Sequence, residues 1–127
     1  MPTKETRRLR VLIADDNRRV VKSLSRLLAM DYDVVGSVAN GGELVEAAQQ
    51  LQPDIVVLDL SLGDGDSLEA CRQITERNPA IKVIVFTGED DSEIRDRAVT
   101  AGASAFVDKL FADSLLTAVK RLDVEVR

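Results

Sequence analysis

Short aliphatic runs alternate with amphipathic segments along the chain, and this alternation constrains the fold more than any other feature. Five runs have the length and the Val, Ile and Leu content of buried strands: residues 9–14, 34–39, 55–59, 83–87 and 105–108. The segments between them carry apolar residues at helical spacing, as in the face shared by Val20, Leu24 and Leu28. Five strand–helix units in series predict an α/β fold, in which a five-stranded parallel sheet has helices on both faces.

Polar residues stand where these helices should begin and end. Four of them are predicted to be N-caps, because their side chains can accept hydrogen bonds from the first free N–H groups: Asn17, Asn40, Ser92 and Asp113. The pair Asn78-Pro79 should end the third helix, and Gly102 the fourth. A chain of 127 residues without an internal repeat or linker predicts one domain, over residues 8–124, with loose ends at 1–7 and 125–127.

The composition excludes several classes of function. The chain has no histidine, which excludes a Ser-His-Asp triad, histidine ligands to zinc and a role as a phosphohistidine carrier. Its one cysteine, Cys71, excludes an internal disulfide and favours a reducing compartment. The net charge of −5 and the lack of a basic stripe predict no direct binding of nucleic acid. No apolar stretch could span a bilayer, so we expect a cytoplasmic protein that does not enter membranes.

Carboxylates follow two of the predicted strands at the point where each strand ends. Asp15 and Asp16 come after the first run, and Asp59 closes the third. Because the carboxyl ends of parallel strands meet at one edge of the sheet, these side chains should lie close together. Like charges in one small volume repel, so the fold needs a cation or a chemical task there. Hard oxygen ligands favour Mg²⁺, or Mn²⁺, over zinc.

Two further polar side chains are expected at the same edge. Thr87 ends the fourth strand and can donate from its hydroxyl, and Lys109 follows the fifth strand and supplies a point positive charge. A carboxylate can accept a phosphoryl group covalently, and positioning with charge stabilisation provides most of the catalysis of phosphoryl transfer. The combination therefore predicts a site for phosphoryl transfer.

The motifs at these strand ends resemble those of the receiver domain of two-component response regulators. They are IADDN at residues 13–17, VLDL at 57–60, FTG at 86–88 and GASAFVDK at 102–109. The resemblance covers residues 8–124 and implies a flavodoxin-like sheet with strand order 2-1-3-4-5. It also implies a signalling domain that is not an enzyme acting on other molecules, although it catalyses its own phosphoryl transfer and hydrolysis.

The resemblance assigns roles to the acidic residues. Asp59 would accept the phosphoryl group from the phosphohistidine of a sensor histidine kinase or a phosphotransfer protein. Asp16 would bind Mg²⁺ directly and Asp15 mainly through water, while Asp59 and the backbone carbonyl of Ser61 would complete the protein ligands. Ser61 and Glu89 would occupy variable positions that tune hydrolysis of the aspartyl phosphate.

The same resemblance implies how the signal leaves the site. Thr87 and Lys109 would hold the phosphoryl oxygens, and Phe106 would turn inward when Thr87 is drawn towards them. The face made by the fourth helix, fifth strand and fifth helix would then repack and contact a downstream effector domain or protein. We expect a monomer or a weak dimer.

The chain departs from the family pattern at two places. Leu110 follows Lys109 where the family usually has proline with a cis bond, and we expect a trans peptide, because a cis bond before leucine costs about 2.5–4 kcal/mol. In the loop after Asp59, Gly63 and Ser67 stand where the family usually has Pro and Gly. This loop should be flexible and acidic, and Asp64 or Asp66 could approach the metal.

Two other functions stay open at this point. The first is a receiver-like interaction module that is never phosphorylated, and Leu110 is its best support. The second is a small Mg²⁺-dependent phosphatase with an Asp nucleophile. Such enzymes typically need a second acid two residues after the nucleophile, where this chain has Ser61.

Overall fold

A computed structural model describes residues 8–62, 66–88, 91–111 and 113–126. Five strands pair in parallel in the order β2-β1-β3-β4-β5: β1 (Arg10–Ala14), β2 (Asp33–Val38), β3 (Ile55–Leu58), β4 (Lys82–Thr87) and β5 (Ala105–Asp108). The described helices are α1 (Arg18–Leu28), α2 (Gly41–Leu51), α3 (Ser67–Arg77), α4 (Ser92–Thr100) and α5 (Asp113–Val126), with a 3₁₀ turn at Lys109–Phe111. The predicted five-stranded α/β fold and its strand order are confirmed. Within the described part, no helix is long and apolar enough to cross a bilayer.

The sheet is covered by helices on both faces. Alternate strand residues point to opposite faces, so β1 sends Leu12 to one side and Val11 and Ile13 to the other. The first side packs against α2, α3 and α4, and the second packs against α1 and α5. Burial on both faces explains why the strand sequences are continuous in aliphatic residues rather than alternating with polar ones.

The helix N-termini confirm two of the four predicted caps and correct the other two, one of which, Asp113, is the first residue of α5. The side chains of Asn17 and Asn40 accept hydrogen bonds from the first turns of α1 and α2, as predicted. At α4, however, the cap is Asp91, which accepts from the backbone N–H of Glu93 at 2.8 Å, and Ser92 is the first helical residue. Both residue types are good N-caps, so the pattern alone did not separate the two neighbours.

The helix ends also agree with the sequence, with one difference at the C-terminus. Asn78 is the C-cap of α3, and Gly102 follows α4 with a φ of +99°, a left-handed value that glycine adopts without strain. Residues 125 and 126 belong to the last turn of α5, although the sequence placed them in a loose end. Residues 1–7 and 127, predicted to be loose, lie outside the described residues.

Candidate functional site

The register of the central strands brings Asp15 and Asp59 side by side. Ala14 at the end of β1 is paired with Leu58 at the end of β3, and the next residue of each strand is an aspartate. The backbone N–H of Asp59 donates to the carbonyl of Ala14 at 2.9 Å, which extends the ladder to the edge. Both aspartates are only 4% exposed, so two carboxylates are buried at adjacent strand ends.

Asp16 completes a group of three acids at this edge. Asp16 is exposed, and one carboxylate oxygen from each of Asp15, Asp16 and Asp59 lies within 4.8 Å of the other two. Three carboxylates with an open side towards solvent match Mg²⁺, a hard cation that takes one or two carboxylates and keeps several waters. The donor set therefore fits the metal that the sequence predicted.

Lys109 places its ammonium between the two buried acids. Its Nζ atom donates to Oδ2 of Asp15 at 3.0 Å and to Oδ2 of Asp59 at 3.2 Å. Burial of the Lys109 side chain opposes its charge, but hydrogen bonds and Coulomb attraction from both aspartates outweigh burial and raise the pKa of Lys109. The same nitrogen lies over the ring of Phe86, 5.9 Å from its centroid, within the range of a cation–π contact.

The other oxygen of each buried carboxylate accepts hydrogen bonds from the following loop. Oδ1 of Asp59 accepts from the backbone N–H of Ser61 at 3.1 Å and from its hydroxyl at 2.9 Å. Oδ1 of Asp15 accepts from the N–H of Asn17 at 2.9 Å. Both side chains are therefore held with Oδ2 towards Lys109, a fixed orientation that suits a reacting carboxylate.

The hydroxyl of Ser61 is a contact that sequence reasoning missed. The sequence analysis gave Ser61 only a backbone carbonyl ligand and a variable position, and the carbonyl role stays a prediction. A serine two residues after an aspartate at a strand end is typical of turns in which the aspartate accepts local hydrogen bonds. That spacing was the available signal for the contact.

Thr87 and Phe106 lie next to this site on the neighbouring strands. Thr87 is fully buried at the end of β4, beside Asp108 of β5, and Phe106 is paired with Val85. Residues two apart on a strand share a face, so the side chains of Phe106 and Thr87 are on the same side of the sheet. Phe106 is half-buried and packs against the core on the α2, α3 and α4 side.

Leu110, which stands where the family usually has proline, changes how the turn after Lys109 is held. No cis peptide bond occurs among the described residues, so the expected trans bond before Leu110 is confirmed. The backbone N–H of Leu110 donates to Oδ1 of Asp108 at 2.8 Å, a bond that proline, which lacks this hydrogen, could not make. The turn is thus closed by a hydrogen bond, and the Leu110 side chain is left 82% exposed.

The acidic residues of the two flanking loops are placed only in part. Asp66 caps α3, where its Oδ1 accepts from the N–H of Leu68 at 3.0 Å, so its carboxylate is engaged in the helix rather than aimed at a metal. The hydroxyl of Ser67 donates to the carbonyl of Leu60 at 3.1 Å. Gly63, Asp64 and Glu89, which the sequence analysis singled out, lie outside the described residues.

Comparisons with curated proteins give relatives of similar sequence. The chain is 33% identical over 114 residues to the transcriptional regulatory protein LnrK of Bacillus subtilis, which covers 87% of this chain and 52% of LnrK. It is 34% identical over 103 residues to the DNA-binding transcriptional activator DevR/DosR of Mycobacterium tuberculosis, over 80% of this chain and 48% of that protein. The chain therefore spans about half the length of these curated relatives.

Solved structures and the family comparison agree with the geometry. A two-component response regulator of the LuxR family from Aurantimonas matches with a TM-score of 0.88 at 30% identity, covering 94% of this chain and 87% of that one. The response regulator domain of Thermotoga maritima CheB matches with a TM-score of 0.84 at 27% identity, covering 92% and 97%. The family model described as the response regulator receiver domain matches residues 11–121. The chain therefore belongs to the family of response regulator receiver domains.

Proposed function

We propose that this receiver domain is a phosphorylation-activated signalling switch with Asp59 as its phosphoacceptor. One observation carries the proposal: Asp59 is buried at the centre of the sheet edge, with a lysine ammonium on one carboxylate oxygen and two loop donors on the other. Asp15 and Asp16 lie beside it at distances that fit a shared divalent cation. Membership of the receiver-domain family also supports a signalling role for this domain, rather than that of an enzyme that acts on other molecules.

The proposed step is an attack by a carboxylate oxygen of Asp59 on the phosphorus of a phosphohistidine. The new O–P bond forms as the N–P bond breaks, and the imidazole of the donor protein takes the electron pair and then a proton from solvent. Hydrolysis later breaks the bond between Asp59 and phosphorus when water attacks, which releases inorganic phosphate. Lys109 stabilises the negative charge of the phosphoryl oxygens, and the buried position of Asp59 keeps its orientation fixed.

Mg²⁺ would be held by Asp15, Asp16, Asp59 and the carbonyl of Ser61, and it would neutralise phosphoryl oxygens when bound. Lys109 now balances both Asp15 and Asp59. Transfer replaces the single charge of the Asp59 carboxylate by about −1.5 to −2 on the phosphoryl oxygens, so the site becomes more negative and a second cation beside the lysine would bring it closer to balance. This charge balance supports a Mg²⁺-dependent reaction.

The conformational change would be transmitted from the phosphoryl group through Thr87 to Phe106. A phosphoryl oxygen gives the Thr87 hydroxyl a new acceptor, and Phe106 on the same face of the sheet can move into the space behind it. Moving a population from about 1:99 to 99:1 takes roughly 5.5 kcal/mol, which a few charge-assisted hydrogen bonds of about 1.5–3 kcal/mol each can supply. The surface formed by α4, β5 and α5 would then meet the effector.

The partners follow from the chemistry and from the relatives. The phosphodonor would be a sensor histidine kinase or a phosphotransfer protein, since this chain has no histidine of its own. Two similar proteins are named as transcriptional regulators, which favours an effector that acts in transcription, with DNA bound by the effector and not by this domain. A cytoplasmic location and a monomer or weak dimer complete the proposal.

Intact-mass spectrometry after incubation with acetyl phosphate and Mg²⁺ tests the function. We expect one phosphoryl group per chain, none in Asp59→Asn and none when the metal is chelated. Asp54→Asn is the matched control, because Asp54 is a buried aspartate at the opposite, amino end of β3, and it should label like the wild type.

The same experiment separates the other two functions. A phosphatase would release many phosphates per chain from the donor, and Ser61 at the position of its second acid argues against this. An interaction module that is never phosphorylated would stay unlabelled under every condition. Either result would contradict the proposed switch.

A further inference from the structure

Arg95 of α4 lies over the ring of Phe106. Its guanidinium carbon is 5.0 Å from the ring centroid, within the distance at which a cation is attracted to an aromatic face. Arg95 is exposed and Phe106 is half-buried, so the guanidinium caps the ring from the solvent side. The state described here therefore contains a favourable contact between α4 and the aromatic residue of β5.

This contact matters because α4 is weakly anchored by apolar packing. All nine residues of α4 are described, and Ala98 is the one that is buried, while Ile94 is half-buried. Val99 is 67% exposed and contributes little to the core. A polar helix of this kind depends on side-chain contacts such as that between Arg95 and Phe106 for its position.

We infer that Arg95 is a positioning residue that holds Phe106 in its resting place and thereby restrains activation of the switch. The inference rests on the proposed function of Asp59. A ring that moves along the face of the sheet towards Thr87 leaves the guanidinium, so the contact stabilises only the resting state. Arg95 thus raises the free energy that phosphorylation must supply to move Phe106 out of its resting position.

The size of the effect follows from the strength of such contacts at exposed sites. Loss of the contact should shift the equilibrium between resting and activated states by about two- to fivefold towards the activated state. The apparent affinity for an activating ligand rises by the same factor, because it scales with the fraction of competent molecules.

The test is a titration of the whole chain with beryllofluoride, the activator named for one of the similar receivers, in the presence of Mg²⁺. The methyl signal of Thr87 in NMR spectra reports activation. We expect Arg95→Gln to lower the half-activating concentration two- to fivefold and Arg95→Lys, which keeps a cation, to lower it less. Arg97→Gln makes the same charge change on an exposed residue of α4 and should leave the midpoint unchanged.

A double-mutant cycle assigns the effect to the ring. In a Phe106→Leu background, Arg95→Gln should cause no further shift, because the aromatic face is gone. An unchanged midpoint in Arg95→Gln, or an equal shift in the Phe106→Leu background, would overturn the inference while leaving the phosphoacceptor role intact. If the wild type itself gives no response to beryllofluoride and Mg²⁺, the proposed function and the inference both fail.

Discussion

The Nζ atom of Lys109 lies 3.0 Å from Oδ2 of Asp15 and 3.2 Å from Oδ2 of Asp59, residues that are 94 and 50 positions away in the chain. One partly exposed ammonium thus compensates two buried carboxylates, so Lys109 supports the fold as well as the proposed chemistry. Its side chain is 26% exposed, so solvent reaches the ammonium.

Replacing Lys109 by methionine should lower the free energy of unfolding by about 1–3 kcal/mol at neutral pH, because two buried carboxylates lose their counter-charge. The loss lies below the usual range for a buried pair because water still reaches the lysine. Saturating Mg²⁺ should restore more stability to this variant than to the wild type, since the metal replaces the missing positive charge. Urea unfolding with and without Mg²⁺ measures both effects.

Lys120→Met is the control for this variant, because Lys120 is an exposed lysine of α5. It should unfold like the wild type at each Mg²⁺ concentration. Equal stabilisation of wild type and Lys109→Met by Mg²⁺ would show that the metal does not share the carboxylates that Lys109 contacts.

The contribution of Lys109 to stability should depend on pH only in the alkaline range. A lysine in the unfolded chain loses its proton near pH 10.5, whereas in the fold the aspartates raise the pKa of Lys109 above that value. The unfolded state then binds fewer protons than the folded one, so stability falls as pH rises. The stabilisation is complete below pH 10.5 and disappears as pH passes the raised pKa.

The difference in unfolding free energy between wild type and Lys109→Met isolates this titration from those of other groups. We expect a constant difference between pH 7 and 9 and a shrinking one above pH 10.5. A difference that stays constant through the alkaline range would contradict the ion pairs described here.

The N-terminus of α4 gives a test of the corrected cap. Asp91→Ala should destabilise the protein by about 0.5–2 kcal/mol, because the N–H of Glu93 loses its acceptor. Ser92→Ala replaces the first helical residue and should have a much smaller effect. Thermal unfolding of both variants ranks the two positions, and a larger loss for Ser92→Ala would reinstate serine as the cap.

Gly102 and Gly42 should respond to alanine in opposite directions. At Gly102 the φ is +99° and a Cβ would clash with Oγ1 of Thr75, so Gly102→Ala should cost more than about 1 kcal/mol. Gly42 lies in α2, where a Cβ finds its nearest neighbour at 3.7 Å, and alanine should stabilise the helix by about 0.5–1 kcal/mol. Chemical denaturation of the pair measures both signs.

The sequence predicted the parts of this molecule that depend on pattern and strand direction. Continuous aliphatic runs predicted the buried strands. The rule that parallel strands end at one edge predicted that Asp15 and Asp59 lie close together, and the pairing of Ala14 with Leu58 places them there. Asn17 and Asn40 were predicted as caps because each stands just before a segment with helical apolar spacing, and both side chains accept hydrogen bonds from the first turns of their helices.

The rest depends on geometry that periodicity does not contain. The hydroxyl of Ser61 reaches Asp59 through a local turn, and the N–H of Leu110 reaches Asp108 in the same way. Asp91 and Ser92 are adjacent and both are good caps. Only the backbone conformation, which is extended at Asp91 and helical from Ser92 onwards, shows which of the two is the cap. The contact between Arg95 and Phe106 joins two elements whose packing angle no sequence rule gives.

The most direct measurement of the central claim is chemical trapping of the phosphorylated residue. The chain is labelled with acetyl phosphate and Mg²⁺ and then reduced with sodium borohydride, which converts an aspartyl phosphate to homoserine, and its peptides are sequenced by mass spectrometry. The account predicts homoserine at position 59 and aspartate at positions 15, 16 and 54. Homoserine at any of those three positions, or unmodified aspartate at position 59 in a chain that carries phosphate, would contradict it.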